Sequence, residues 1–437
     1  MRIAFVIERL AHYRLFGPII DEALRRGWDV ECWHDHGRPL DGLKQYQFPS
    51  LHGVPTFAHG QPIVKDYCGR SELRTWMAAD RADAVVSTET ARFAGEPGQP
   101  AGSASPVWVS LQNVTDAFVT HSPASLLSCD LLALYSPWWL TWALDYYGDA
   151  GLIEDRQDYE RRILARSSFV GLPETDVARG IDTRAVRARW GIPQDQPVVV
   201  FFPFPQGVGQ ASFWPKRLFG VPSRIRQAAN VVLHRRHEYW PHILQSWNDR
   251  SVVLAIRRFC DRNGAYLLVK SRRKTPIPGY LEAVADQCLY DDSVYPATVL
   301  ESLAIASLSI SYYSGAVLES VALGVPHVCL AFSGNDYFGS AGVPPDFPRL
   351  YTTEEGSVFQ FRGVSTALTI PDAIRGLPER GLDDFRIDAA ARAAYVRTYL
   401  GFDDRDASGR LLDAVTAAVK DAHSSRLPDA DRPVLIV

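Results

Sequence analysis

Short apolar runs that alternate with amphipathic segments constrain this chain more than any other feature. Residues 1–7 are largely apolar, and residues 17–27 follow with Ile19, Ile20, Ala23 and Leu24 at helical spacing, closed by Gly27. Val30-Glu31-Cys32-Trp33 resumes as a strand. The alternation then recurs at 84–87, 107–111, 131–134, 198–202, 265–269, 308–311 and 327–330. Repetition of this kind predicts parallel sheets covered by helices, the α/β class.

A chain of 437 residues is too long for one ordinary core and suits two domains of roughly 150–200 residues each. Gly171-Leu172-Pro173, a charged helix from Thr183 to Trp190 and the turn-rich stretch 191–197 mark the passage from one to the other. The predicted domains are therefore 1–190 and 191–385. Ala-rich helical spacing over 384–420, broken at Gly401, predicts closing helices and a tail over 386–437. Residues 95–106, rich in Gly, Pro, Ser and Ala, read as an exposed loop.

Hydrophobic residues at 46% and charged residues at 22% exclude a disordered or fibrous chain. A net charge of −4 gives no basis for nucleic-acid binding, which calls for a basic surface. Any anion site must then be local. The six cysteines stand far apart without a C-x-x-C pair, so reduced, mostly buried thiols are expected. The first apolar run ends at Glu8-Arg9 without a cleavage pattern, and no apolar stretch is long enough to span a bilayer. A cytoplasmic protein is expected.

The most informative segment is Leu308-Ser309-Ile310-Ser311-Tyr312-Tyr313-Ser314-Gly315-Ala316-Val317-Leu318-Glu319, which continues to Gly324-Val325-Pro326-His327-Val328. A strand runs into a Ser-Gly turn, a helix starts at once, and Gly324-Val325-Pro326 ends it. Free N–H groups and the positive end of the helix dipole would face the carboxyl edge of the sheet, where a phosphate is well placed. Gly315 removes a side chain that would block close approach, and Glu319, one turn in, can accept hydrogen bonds from ribose hydroxyls. Phosphate and ribose together point to a nucleotide.

This segment resembles the donor-binding motif of GT-B glycosyltransferases, and is also similar to that of non-hydrolysing UDP-N-acetylglucosamine 2-epimerases and CDP-glycerol glycerophosphotransferases. The matching parts are the Ser-Gly turn, the Leu-Glu pair and the Gly-x-Pro helix end. The resemblance implies a GT-B fold, two Rossmann-like doubly wound domains facing a cleft. It implies that Ser314 and Gly315 meet the donor phosphates and that Glu319 holds the ribose, with Tyr313 also among the donor-binding residues. Gly171-Leu172-Pro173-Glu174-Thr175-Asp176, followed by Gly191-Ile192-Pro193, looks like the interdomain passage of these families. Tyr266-Leu267-Leu268-Val269-Lys270 looks like the strand that ends in Lys-Pro-His-Pro in the glycerophosphotransferases. Lys270 matches, whereas Ser271 and Arg272 replace Pro and His. Lys270 and Arg272 are the cations expected to hold a leaving diphosphate.

In the first half, Gln112 and Asn113 end a strand where related chains often carry His-Gly, and they are the acceptor-side candidates. Asp116, Glu8 and His12 are the candidate bases for an acceptor hydroxyl, because each follows the carboxyl end of a strand in the expected sheet, on the loops read over 8–13 and 112–118. His34-Asp35-His36 reads as a loop, since neighbouring residues at a strand end point to opposite faces, and no metal is expected. Trp138, Trp139, Trp142, Tyr146 and Tyr147 crowd one helix; core packing is the expected reason, with contact to a lipid-linked acceptor at the inner face of the membrane as the alternative.

The resemblance implies a nucleotide-sugar donor, a glycan or lipid-linked acceptor, no cofactor, and a product in a cell-surface polysaccharide. The rivals are a UDP-sugar 2-epimerase or CDP-polyol phosphotransferase, and a nucleotide-sugar-binding scaffold without turnover.

Overall fold

The computed structural model describes residues 1–36, 54–79, 82–88, 106–113, 122–203, 232, 249–271, 277, 279–290, 293–332 and 347–424. The chain forms two compact units. The first comprises Met1–Arg179, Ser293–Ala297 and Arg397–Val437; the second comprises Gly180–Asp292 and Thr298–Val396.

In the first unit, strands β1 (Arg2–Ile7), β2 (Asp29–Asp35), β3 (Ile63–Tyr67), β4 (Ala84–Ser87), β5 (Val107–Leu111), β6 (Leu131–Leu134) and β7 (Ser167–Phe169) alternate with helices. These are α1 (His12–Arg25), α2 (Gly69–Ala78), α3 (Pro137–Asp149) and α4 (Arg156–Leu164). Among the described residues the strands form one sheet in the order β3-β2-β1-β4-β5-β6-β7, and every pairing is parallel. The continuous apolar runs are explained by this geometry, because the strands of a parallel sheet are covered on both faces. Ile3, Phe5 and Ile7 pack with Phe16, Ile19 and Ile20 of α1.

The second unit begins with α5 (Thr183–Trp190) and β8 (Val198–Phe202), followed by α6 (Asp249–Arg262), β9 (Tyr266–Ser271), β10 (Gln287–Tyr290), α7 (Thr298–Ala304), β11 (Leu308–Tyr312), α8 (Ala316–Ala322), β12 (His327–Ala331), β13 (Ser365–Thr369), α9 (Ile370–Gly376) and α10 (Ala389–Tyr395). Its described strands form a parallel sheet in the order β10-β9-β8-β11-β12-β13. Alternate residues of β8 divide between its two faces. Val199 and Phe201 join Ile256, Phe259 and Ala373 on one side, while Val198 and Val200 join Val186, Ile192, Leu303 and Ala316 on the other. Helix α5 is thus part of the second unit, which starts at Gly180, whereas the sequence reading ends the first domain at 190.

Helix α11 (Ala407–Ser424) packs on the sheet of the first unit, with Leu411, Leu412, Val415 and Val419 in the core beside Ile20 and Val109. The Gly-x-Pro-x-x-Asp stretch receives it. Asp176 accepts the N–H groups of Ala407 and Ser408 at 3.2 and 2.7 Å, an N-terminal cap made at long range. Gly171 has φ +91, and a Cβ there would lie 3.1 Å from the Arg410 guanidinium. Arg410 in turn donates to the Val170 carbonyl at 2.9 Å. Gly401 has φ +79 and passes so close to Tyr135 that a Cβ would stand 2.6 Å from its carbonyl oxygen.

The crowded aromatic helix is α3. Trp139 and Tyr147 are fully buried, and the Trp139 indole donates to the Tyr399 carbonyl at 2.8 Å. Trp142 and Tyr146 are half-buried and stacked in parallel, with ring centroids 5.7 Å apart. No helix among the described residues is long and apolar enough to cross a membrane. The cysteines are unpaired; Cys32, Cys129, Cys260 and Cys329 are buried, while Cys68 is exposed.

Candidate functional site

In an open parallel sheet, ligands bind outside the carboxyl ends of the strands, where the strand order reverses. In the second unit β8 is followed by β9 on one side and flanked by β11 on the other, so the reversal falls between β8 and β11. Tyr313, Ser314 and Gly315 leave the carboxyl end of β11 at that point.

The turn is built by its own side chain. Ser314 Oγ accepts the Ala316 N–H at 3.2 Å, which leaves the hydroxyl proton as a donor. The Val317 N–H goes to the Ser314 carbonyl and the Leu318 N–H to the Gly315 carbonyl. The expectation of free N–H groups on the helix therefore needs correcting: the first three amides of α8 are engaged within the turn. The N–H groups of Ser314 and Gly315 make no hydrogen bond among the described residues. Gly315 is exposed, with φ −57, and a Cβ on it would meet nothing within 4 Å. Among the described residues neither backbone conformation nor packing requires glycine there, and none of them lies within 4 Å of the position a Cβ would take.

Glu319 lies in the first turn of α8 and is buried with the whole of that helix. Tyr313 is half-buried and packs its ring against Phe332, Tyr351 and Phe359, with centroids 5.0–5.3 Å away; burial raises its phenol pKa above the ordinary value. Lys270, next to last in β9, is buried and donates from Nζ to the Ser271 carbonyl at 2.8 Å. Because β8 separates β9 from β11, Lys270 stands two strand spacings from the Ser-Gly turn, about 10 Å. Arg272 lies outside the described residues, as does Asp116.

In the first unit the reversal falls between β1 and β4. Glu8 and His12 follow β1 at this edge. The sequence reading puts His12 in a loop, whereas it is the first residue of α1 and is buried. Its Nδ1 accepts the Glu8 N–H at 3.3 Å and its ring meets Phe16 edge-on. The imidazole serves the strand-to-helix turn. Gln112 and Asn113 follow β5, one strand away from the reversal. Gln112 is buried, and its Oε1 accepts the Tyr135 N–H at 3.1 Å, tying the ends of β5 and β6 together. Asn113 is half-buried at the end of the same described segment.

The reading of His34-Asp35-His36 as a loop is also corrected. His34 and Asp35 end β2 and are buried. His34 Nε2 is 2.6 Å from the Tyr13 hydroxyl, and burial holds its pKa down at about 4. His36 Nε2 pairs with Asp66 at 2.9 Å. Residues 34 and 36 share a side of the strand, so both reach toward Asp66, at 3.7 Å in the case of His34. No group of three or more His, Cys, Asp or Glu side chains suited to a metal ion occurs among the described residues.

Sequence reasoning missed a polar cluster behind the Ser-Gly turn. His327 is buried between Ser309 and Ser311, and Ser309 also meets Ser320 of α8. Its signal in the sequence is a pair of serines at alternate positions in an otherwise apolar strand.

Two doubly wound units, each a parallel sheet with the Rossmann-like strand order, give the chain the GT-B fold. No family model matches the sequence, and no curated protein matches it. The fold is shared with solved structures. The wall teichoic acid polymerase TagF has a TM-score of 0.51 at 11% identity, over 96% of this chain and 89% of that one. A variant of the same polymerase has 0.52 at 10%, with the same coverage. A putative UDP-N-acetylglucosamine 2-epimerase from Listeria monocytogenes has 0.49 at 12%, over 100% and 99% of the two chains.

Proposed function

We propose that the protein is a glycosyltransferase that takes a sugar from a nucleotide-sugar donor held by the second unit. The observation that carries this reading is the Ser314-Gly315 turn: it stands at the strand-order reversal, and no described residue lies within 4 Å of the position a Gly315 Cβ would take. Its Ser hydroxyl and two backbone N–H groups supply donors for a phosphate without opposing charge. A ligand that also reaches Lys270 must extend about two strand spacings, which a nucleoside diphosphate can do and a single phosphate cannot. Glu319 is assigned to the ribose, since a carboxylate so deeply buried is best satisfied by several hydrogen-bond donors.

The acceptor is assigned to the first unit, with Asp116 and Glu8 ahead of His12 as the base. The acceptor oxygen would attack the anomeric carbon, the bond to the diphosphate oxygen would break, and the base would take the acceptor's proton. Lys270 and Arg272 would stabilise the departing diphosphate, and the reaction as written uses no cofactor. The fold shared with a polymerase of wall teichoic acid supports a glycan or lipid-linked acceptor in cell-surface polymer synthesis.

The test is titration of the purified chain with UDP, CDP, GDP and ADP and their sugar conjugates. A bound nucleotide raises the melting temperature by mass action. Glu319→Ala is expected to weaken that binding by about 1.5–3 kcal/mol, the scale of a hydrogen bond to a charged group. Absence of binding by every nucleotide would reject the reading, and unchanged affinity in folded Glu319→Ala would remove Glu319 from the ribose. An epimer formed from a UDP-sugar without acceptor would replace transfer by epimerisation.

A further inference from the structure

We infer that His327 is a positioning residue that braces the Ser314-Gly315 turn, through one flank or the other according to its tautomer. This rests on the donor assignment above for its functional consequence, while its structural content stands on the polar cluster alone.

His327 opens β12 and is paired in register with Ser309 of β11. Its Nδ1 lies 2.8 Å from Ser309 Oγ and its Nε2 3.1 Å from Ser311 Oγ. One arm runs on from Ser309 Oγ to Ser320 Oγ at 2.8 Å, and Ser320 donates to the Ala316 carbonyl at 2.7 Å. The other runs from Ser311, which donates to the Tyr312 carbonyl at 2.5 Å. Tyr312 and Ala316 are the residues immediately before and after Tyr313-Ser314-Gly315. A single imidazole on the neighbouring strand thus stands at the root of two arms, one leading to the carbonyl before the proposed phosphate turn and one to the carbonyl after it. All four side chains are buried, and buried polar networks of this kind fix geometry because every member needs its partner.

The arrangement also says how the ring is used. Burial keeps it neutral, with its pKa pushed down to about 3, so it carries one N–H. When Ser311 donates to the Tyr312 carbonyl, its oxygen is left to accept from Nε2–H, and Nδ1 is then an acceptor for Ser309. When Nδ1 carries the proton, Ser309 can instead donate to Ser320. Each tautomer can complete one arm, Nε2–H through Ser311 and Nδ1–H through Ser309, whose hydroxyl also has the Pro326 carbonyl at 3.2 Å.

His327→Leu removes the tie while sparing the serines: Ser309 can still donate to Ser320 and Ser311 to the Tyr312 carbonyl, so no hydroxyl is stranded. Amide hydrogen exchange in the ligand-free protein is the direct measurement. Exchange of the hydrogen-bonded amides 316–318 is expected to quicken about tenfold in His327→Leu, the equilibrium value of one ordinary hydrogen bond, while β8 and β9 exchange as in the parent. Nucleotide affinity is expected to fall by a similar factor and to be partly restored by His327→Gln or His327→Asn, which replace one arm each. Parent-like exchange of amides 316–318 in His327→Leu overturns the inference, whether or not any nucleotide binds. Failure of the parent to bind nucleotides would instead reject the donor site and leave the exchange result standing. If the leucine variant does not fold, Ser309→Ala and Ser311→Ala cut the arms singly, and parent-like exchange in both overturns the inference in the same way.

Discussion

At the scale of single residues, two positions show how backbone and burial set limits that charge and composition do not. Gly401 combines a positive φ with a Cβ position 2.6 Å from the Tyr135 carbonyl oxygen, and a backbone atom cannot swing aside as a side-chain tip can. Gly401→Ala should cost more than the roughly 1–2 kcal/mol of the left-handed conformation alone, measured as a lowered urea midpoint. His34 and His327 have pKa values lowered to about 4 and about 3, burial being the first cause in both. An unfolded histidine titrates near 6.5, so below that pH the unfolded chain gains protons that the folded one refuses. The stability these two residues protect is complete above about pH 6.5 and declines as pH falls toward 4, by up to about 1.4 kcal/mol per pH unit for each. Urea midpoints at pH 7.5 and 5.0 should differ less in His34→Gln than in the parent; an equal difference would contradict a buried neutral His34.

At the scale of elements, legibility followed burial. The central strands read directly because a sheet covered on both faces needs uninterrupted apolar runs, as in Val198–Phe202. Strand β3 did not, because Lys65 and Asp66 interrupt it at the edge of the described sheet. His12 and His34 were read as loop residues because a histidine carries no periodic signal, yet each is buried by a partner distant from the strand pattern, Phe16 for one and Tyr13 for the other. The Ser-Gly turn was legible as a motif; the tie behind it was not, since Ser309 and His327 are 18 positions apart and meet only through strand register. Asp176 is the clearest element-scale contact. Asp176→Ala removes the acceptor for two amides of α11 and should lower stability by about 1–2 kcal/mol, the usual worth of a helix cap. Asp176→Asn, which keeps an acceptor oxygen, should recover part of that. Equal losses in the two variants would show that the charge, rather than the cap geometry, matters.

At the scale of the whole molecule, the first unit is discontinuous in sequence. Its sheet is made of residues before 180, its core includes Tyr295, which packs on Phe57 and donates to Asp21 at 2.9 Å, and α11 adds four buried apolar side chains. A chain that stops after Val396 keeps the second unit's residues and loses that helix. Four large side chains leaving such a core forfeit about 6–12 kcal/mol, comparable with the total stability of an ordinary domain. The shortened chain should therefore keep the described strands and helices of the second unit protease-resistant while those of the first unit are digested; resistance of both would show that α11 is dispensable.

The same arrangement sets an order of events during synthesis. All seven strands of the first sheet have been made before residue 180, but the helix that completes their core follows more than two hundred residues later. At about 5–20 residues per second on the ribosome, that interval is roughly 10–50 s. Through it, the apolar surface that Leu411, Leu412, Val415 and Val419 will cover stands open, while the described strands of the second unit's sheet are made, the last of them ending at Thr369, before that helix appears. The part of the protein that is translated first is thus the last to finish folding, and the nascent chain is a natural client for a holding chaperone during that wait.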